Sequence, residues 1–133
     1  LAGGGLATFE ASRMAQGRKN GLRFEISGTT GAIAFDLERL NELQVYRASD
    51  GSNSGFRTVL VTEPQHPYLG AWWPAGHIIG WEHAFTHQVR DLVTAIAAGE
   101  SPRPTFADGL QVQRVLDAVQ RSSSTGAGWT PID

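Results

Sequence analysis

From Leu22 to Asp36 the chain reads LRFEISGTTGAIAFD. Leu22, Phe24 and Ile26 alternate with Arg23, Glu25 and Ser27, SGTTG interrupts the pattern, and AIAFD takes it up again. Successive side chains of a strand point to opposite faces, so this stretch predicts two half-buried strands joined by a turn.

The same period extends on either side. Upstream, Ala7, Phe9 and Ala11 alternate with Thr8, Glu10 and Ser12 between Leu6 and Ala15. That predicts a strand returning through QGRKNG to pair with the Leu22 run as an antiparallel hairpin. Downstream, LQVYR and FRTVLVT are strand-like and are separated by the loop SDGSNSG, giving five expected strands in the first half. From Trp81 the period changes. Trp81, Phe85, Val89, Leu92, Val93 and Ile96 share one stripe at about 100° per residue, and Gly99 is a natural helix stop. After SPRPTF, Asp108 is the expected cap of a second helix with Val112, Val115, Leu116 and Val119 on one face, ending before Gly126. GWTPID reads as a short edge strand, because Pro131 cannot donate to a central ladder.

Strands first and helices afterwards predict an α+β fold, a mainly antiparallel open-faced β-sheet with two helices packed on one face. With Phe9, Phe24 and Ile26 turned to the helices, the open face carries Thr8, Glu10, Arg23, Glu25 and Arg57. Mixed charges of this kind suit water or a second copy of the same face, so a homo-oligomer through the open sheet is expected.

At 133 residues the chain suits one domain with one core. Its formal charge of -2, from 11 basic and 13 acidic residues without clustering, supplies no stripe for phosphates, which argues against a nucleic-acid partner. No apolar run approaches the ~18 residues of a spanning helix, and no basic-then-apolar leader is present, so no membrane association is expected. The absence of cysteine excludes disulfides and thiolate chemistry and fits a reducing cytoplasm. The opening LAGGGLATFEASRMA, without Met and with little lead-in, reads as part of a longer protein, processing of a complete small one being the alternative.

Several features invite chemistry. The glycines of GGG at 3 to 5 and GTTG at 28 to 31 lead into strands, whereas a phosphate cradle leads into a helix, so turn geometry is their expected role. His83 and His87 have the four-residue spacing of two metal ligands but stand beside Arg90 on a helix. They are expected to be solvated or interfacial, with no metal bound. No cysteine is present and no serine sits in a strand-to-helix elbow, so no catalytic nucleophile is expected. The stretch AWWPAGHIIGWEHAF, 71 to 85, holds three of the four tryptophans and two of the four histidines, with Trp72, Trp73 and His77 just ahead of the first helix. Trp72, Trp73 and His77, with His66 and Tyr68 upstream, supply flat aromatic faces and hydrogen-bonding groups on a loop stiffened by Pro67, Pro74 and Gly76. That set suits a pocket for a ring-shaped polar ligand such as a sugar. It also suits a plug for the sheet edge, with His77 capping the helix.

Three segments together resemble the C-terminal domain of the glucose–fructose oxidoreductase, inositol dehydrogenase and rhizopine-catabolism (Gfo/Idh/MocA) family. They are FEASRMAQGRKNGLRFEISGTTGAIAFDLERLNELQVY, HPYLGAWWPAGHIIGWEHAFTHQVRDLVTAIAAG and PTFADGLQVQRVLDAVQRSS, which cover nearly the whole chain. FEIxGTxGAxxFD is typical of the family broadly, and GRKN with WWPxGHxIGWE resembles a branch acting on sugars and cyclitols. The resemblance implies that residues 1–133 form a substrate-binding and oligomerisation domain. A Rossmann domain elsewhere in the parent would bind NAD or NADP, and this chain would carry no cofactor site and no catalytic residue. It also implies that Trp72 and Trp73 stack on the substrate and that His77 bonds a hydroxyl. Arg13, Lys19 and Asn20 form a second patch, reaching either the same site or a neighbouring subunit, with a solvated hairpin tip as the other reading. A self-associating carbohydrate-binding module without catalysis is the competing function.

Overall fold

The computed structural model describes residues 3–133, so the first two residues of the lead-in lie outside it. Two compact units divide the chain, one running to Gly80 and the other spanning Trp81–Asp133. In the first, four strands form one antiparallel sheet in chain order: β1 (Arg23–Ser27), β2 (Gly31–Asp36), β3 (Glu42–Arg47) and β4 (Arg57–Leu60).

The alternation at Leu22 to Asp36 is thus a hairpin. Phe24 pairs with Phe35 and Ile26 with Ile33, and Gly28 N–H donates to Gly31 O at 2.8 Å to close the turn. Gly31 is required for a second reason. A β-carbon there would stand 2.5 Å from the Tyr46 carbonyl oxygen on β3, and a backbone oxygen within a ladder has nowhere to go. β2 passes to β3 through a 3₁₀ turn, Leu37–Arg39, which Asp36 caps by accepting from Glu38 N–H at 3.0 Å.

Register divides the sheet into a polar and an apolar face. Arg23, Glu25, Asp36, Ala34, Gln44 and Thr58 share the first, and Phe24, Ile26, Phe35, Ile33, Leu43 and Val45 the second. The Phe24 and Phe35 rings lie 5.4 Å apart. Arg57 pairs with Val45 and so lies on the apolar side, where it meets the Asp50 carboxylate. Its expected place on the polar face is corrected by the register.

Leu6 to Ala15 is not a strand. Leu6, Phe9 and Met14 are all more than four-fifths exposed, so Thr8 and Glu10 join no sheet face. Alternation only proposes a strand, and a ladder needs a partner whose own groups are available. Here the returning loop is held elsewhere, because Lys19 and Asn20 N–H both donate to Glu38.

The second unit contains α1 (Trp81–Ala98) and α2 (Phe106–Ser124). Gly99 ends α1 at φ 69°, with Glu100 N–H returned to Ala95 O at 2.8 Å, the left-handed stop that glycine favours. α2 is capped by Thr105, not Asp108. Asp108 is the other half of a reciprocal capping box: it donates its N–H to Thr105 Oγ1 and accepts the Thr105 N–H at 2.7 Å. The residues of the expected stripe of α1 are exposed. Val89 and Ile96 are 59% and 66% exposed, while His83, His87, Asp91 and Ala95 are half-buried. Helical period fixes which residues share a face, not which face is covered.

GWTPID forms no strand. It folds back on α2, with Ser122 Oγ donating to Gly128 O at 2.7 Å and Arg121 Nη2 to Pro131 O at 3.1 Å. Those bonds take carbonyls that an edge strand would offer to a ladder. Few described residues are deeply buried: Leu69 and Thr62 in the first unit and Ala118 in the second. No helix among the described residues is long and apolar enough to cross a membrane.

Candidate functional site

The aromatic stretch lies on a long connection after β4, built as a run of short turns. His66 N–H donates to Glu63 O at 2.9 Å, and the His66 ring accepts Glu63 N–H at 3.2 Å. A single 3₁₀ turn, Leu69–Ala71, follows. Leu69, 7% exposed, is its apolar anchor. Tyr68 enters that turn at φ 68°, a left-handed conformation uncommon for a bulky side chain and maintained only where surrounding contacts impose it.

Beyond the turn, Trp72 is partly buried and Trp73 is 74% exposed. The His77 ring lies 5.8 Å from that of Trp73, the two tilted by 31°. His77 is tied to its own turn, since its N–H donates to Pro74 O at 3.2 Å and its Nδ1 lies 2.8 Å from the same oxygen. A carbonyl can only accept, so Nδ1 carries the proton in that contact, and in the neutral ring Nε2 keeps the lone pair. The result is an exposed two-ring shelf, apolar on its faces and hydrogen-bonding at one edge.

Two supports fix this shelf, and neither was visible in the local sequence. Gly76 N–H donates to Oγ1 of buried Thr62 at 3.3 Å. The Asn41 carboxamide donates to Ile79 O at 2.8 Å and accepts Ile79 N–H at 2.9 Å.

The second predicted group is organised by Glu38. Its Oε1 accepts Lys19 N–H at 2.8 Å and Asn20 N–H at 2.9 Å, leaving both side chains out of these bonds. Those two N–H groups hold the Glu38 carboxyl below its usual range. Asp36 is likewise lowered, first by its bond to Arg23, 2.6 Å away. Lys19, Asn20 and Arg13 are all exposed. Arg13 belongs to the segment that was expected to be a strand. The structure therefore ties Lys19 and Asn20 to Glu38 and the shelf to Asn41, two anchors three positions apart at the β2–β3 connection. Arg13 is not drawn into either group by a described bond.

Among the described residues no three His, Cys, Asp or Glu side chains are grouped to hold a metal ion. Nor do these residues fit a dinucleotide. The Gly28–Gly31 turn runs into β2, and the first turns of both helices already carry acids, Glu82 and Asp108, which oppose a phosphate.

The family model for the C-terminal alpha/beta domain of an oxidoreductase family matches residues 1–132. Levoglucosan dehydrogenase from Pseudarthrobacter phenanthrenivorans is 45% identical over 126 residues, 93% of this chain and 32% of that protein. The crystal structure of an oxidoreductase domain protein from Kribbella flavida is 57% identical with a TM-score of 0.87, covering 92% of this chain and 32% of that one. A levoglucosan dehydrogenase in complex with NADH and levoglucosan is 43% identical with a TM-score of 0.86, covering 92% of this chain and 33% of its own. The chain therefore spans about a third of the length of these relatives.

Proposed function

This chain belongs to the Gfo/Idh/MocA oxidoreductase family as its C-terminal domain, and we propose that it supplies the sugar-facing half of an NAD(P)-dependent dehydrogenase. The observation that carries the reading is the exposed Trp73 ring paired with His77 on a pinned loop. Such a shelf accepts the C–H face of a pyranose or cyclitol on its aromatic surface and a hydroxyl at the histidine edge. Trp72 extends the surface. Arg13, Lys19 and Asn20 contribute donors to the same site or to a neighbouring subunit.

The cofactor, NAD or NADP, is bound by another part of the whole protein, because the glycine turns and helix starts described here do not suit it. Levoglucosan, the sugar bound with NADH in a relative, is the first substrate to test, within a class of sugars and cyclitols. The polar sheet face, where Arg23, Glu25, Asp36 and Gln44 lie together, pairs with its symmetry mate in a homo-oligomer. The protein works in the cytoplasm, in keeping with its lack of cysteine.

The test compares this chain with the protein expressed from its complete reading frame. The complete protein should form NADH or NADPH when given levoglucosan, L-sorbose or myo-inositol, while calorimetric titration of this chain alone with NADH should give no heat of binding. Micromolar NADH binding by the chain alone, or a complete protein that binds sugar without turnover, would overturn the assignment, the second in favour of a carbohydrate-binding module.

A further inference from the structure

Asn41 stands between the Leu37–Arg39 turn and β3, and its own carbonyl accepts Val61 N–H at 3.0 Å, which fixes it to the end of the β3–β4 ladder. From there its side chain makes both bonds of a strand-like pair with one residue, giving a proton to Ile79 O and taking one from Ile79 N–H at 2.8 and 2.9 Å. A carboxamide is the short side chain that can donate and accept at once in one plane. Both bonds are shielded from water in part, so neither solvent nor a single-function side chain replaces them without loss.

The position of Ile79 gives this clamp its consequence. It lies two residues after His77, and Gly76, one residue before His77, is held by buried Thr62. His77 is therefore bracketed by two anchors, each rooted at the same end of the sheet. Without Asn41 the bracket has one side, and the stretch from Gly76 onward is free to rotate away from its sheet support.

We propose that Asn41 is a positioning residue for sugar binding: it does not contact the sugar, but it sets where His77, and with it the Trp73 shelf, is presented. The inference rests on the assignment of that shelf as the sugar-binding surface.

The test uses the complete protein with Asn41→Asp, Asn41→Ala and, as reference, His77→Ala. Readouts are KM and kcat for whichever of levoglucosan, L-sorbose and myo-inositol is oxidised, the dissociation constant for NADH, and Tm. Asn41→Asp keeps shape and acceptor but turns a second oxygen toward Ile79 O. It should raise the sugar KM about tenfold, at least as much as Asn41→Ala, with NADH affinity changed by less than about twofold. A loss of Tm with the sugar KM unchanged in both Asn41 variants would reduce Asn41 to a structural residue and overturn the inference. If His77→Ala raises the sugar KM while the Asn41 variants do not, the inference fails and the shelf assignment stands. If His77→Ala is also silent, or no sugar is oxidised, the shelf assignment fails and takes the inference with it. Amide exchange in the unmodified protein needs no variant to fold: Ile79 should exchange as slowly as the β3 amides, and exchange at the rate of an open loop would overturn the clamp.

Discussion

Replacing Gly31 by alanine isolates one contact that the fold cannot relax around. The added carbon would meet Tyr46 O at 2.5 Å, with Tyr46 C at 3.6 Å and Arg47 Cα at 3.7 Å behind it. All three are backbone atoms of β3, so relief requires β2 and β3 to part where Gly31 pairs with Arg47, next to the 3.0 Å bond from Ala48 N–H to Thr30 O. Overpacking of this kind costs about 1 to 3 kcal/mol. Against that, alanine restricts the unfolded chain and returns about 0.4 to 1 kcal/mol. Taking the middle of each range, the net destabilisation is about 1.3 kcal/mol, a fall in Tm of roughly 4 to 8 °C for a chain of this size. Gly28→Ala is the control, because its nearest neighbour is Gly31 O at an ordinary 3.7 Å. Scanning calorimetry of the two variants beside the unmodified chain should lower Tm only for Gly31→Ala. Equal Tm values for all three would refute the close approach of β2 to β3 and, with it, the register that defines the two sheet faces.

Thr105→Ala removes the acceptor of the α2 capping box and should cost about 1 kcal/mol in urea unfolding, with Thr105→Ser restoring most of it. Asp36, Glu38 and Asp108 are held below their ordinary values of 3.8, 4.5 and 3.8. Each therefore contributes stability that is fully present above those values and is lost as pH falls through the lowered folded ones. The urea midpoint should stay level from neutrality to about pH 5 and then decline, and combining Asp36→Asn, Glu38→Gln and Asp108→Asn should flatten the decline. A midpoint that falls equally steeply in the triple variant would contradict these pairings. Sedimentation equilibrium should give at least a dimer whose dissociation increases with salt, because the paired surface is charged. A monomer at every concentration would count against the polar face as an interface.

What could be read in the sequence depended on how far the cause lay from the residue. The β1–β2 hairpin and the stop at Gly99 follow from neighbours within a few positions, and both stand where the alternation and the glycine put them. Leu6 to Ala15 carries a similar alternation but no ladder, since pairing depends on a second segment and the loop between them is drawn to Glu38. Arg57 was misplaced by one position of register, which is enough to change its face. The α2 start was displaced by three residues because Thr105 and Asp108 cap each other, and TFAD carries the polar-x-x-acid signature that reveals it. Trp73 and His77 stand out in the sequence because they share a loop with Pro74 and Gly76, and the structure sets their rings 5.8 Å apart. The anchors of the two groups are not local: Asn41 acts across 38 residues on Ile79 and Thr62 across 14 on Gly76 beneath the shelf, and Glu38 acts across 18 on Asn20 in the other group. In sequence each of these three is an ordinary turn or strand-end residue.

On the proposed function, the Trp73–His77 shelf receives the sugar of an NAD(P)-dependent dehydrogenase. The most direct test of that assignment is kcat/KM for the oxidised sugar in the complete protein, measured for Trp73→Ala and His77→Ala together with Tm and NADH affinity. Loss of the stacking face or of the hydroxyl partner should each lower kcat/KM roughly 5- to 150-fold, about 1 to 3 kcal/mol of transition-state binding, with NADH affinity unchanged. Variants that melt earlier yet keep the unmodified kcat/KM would contradict it, and would make the two rings a brace for the loop.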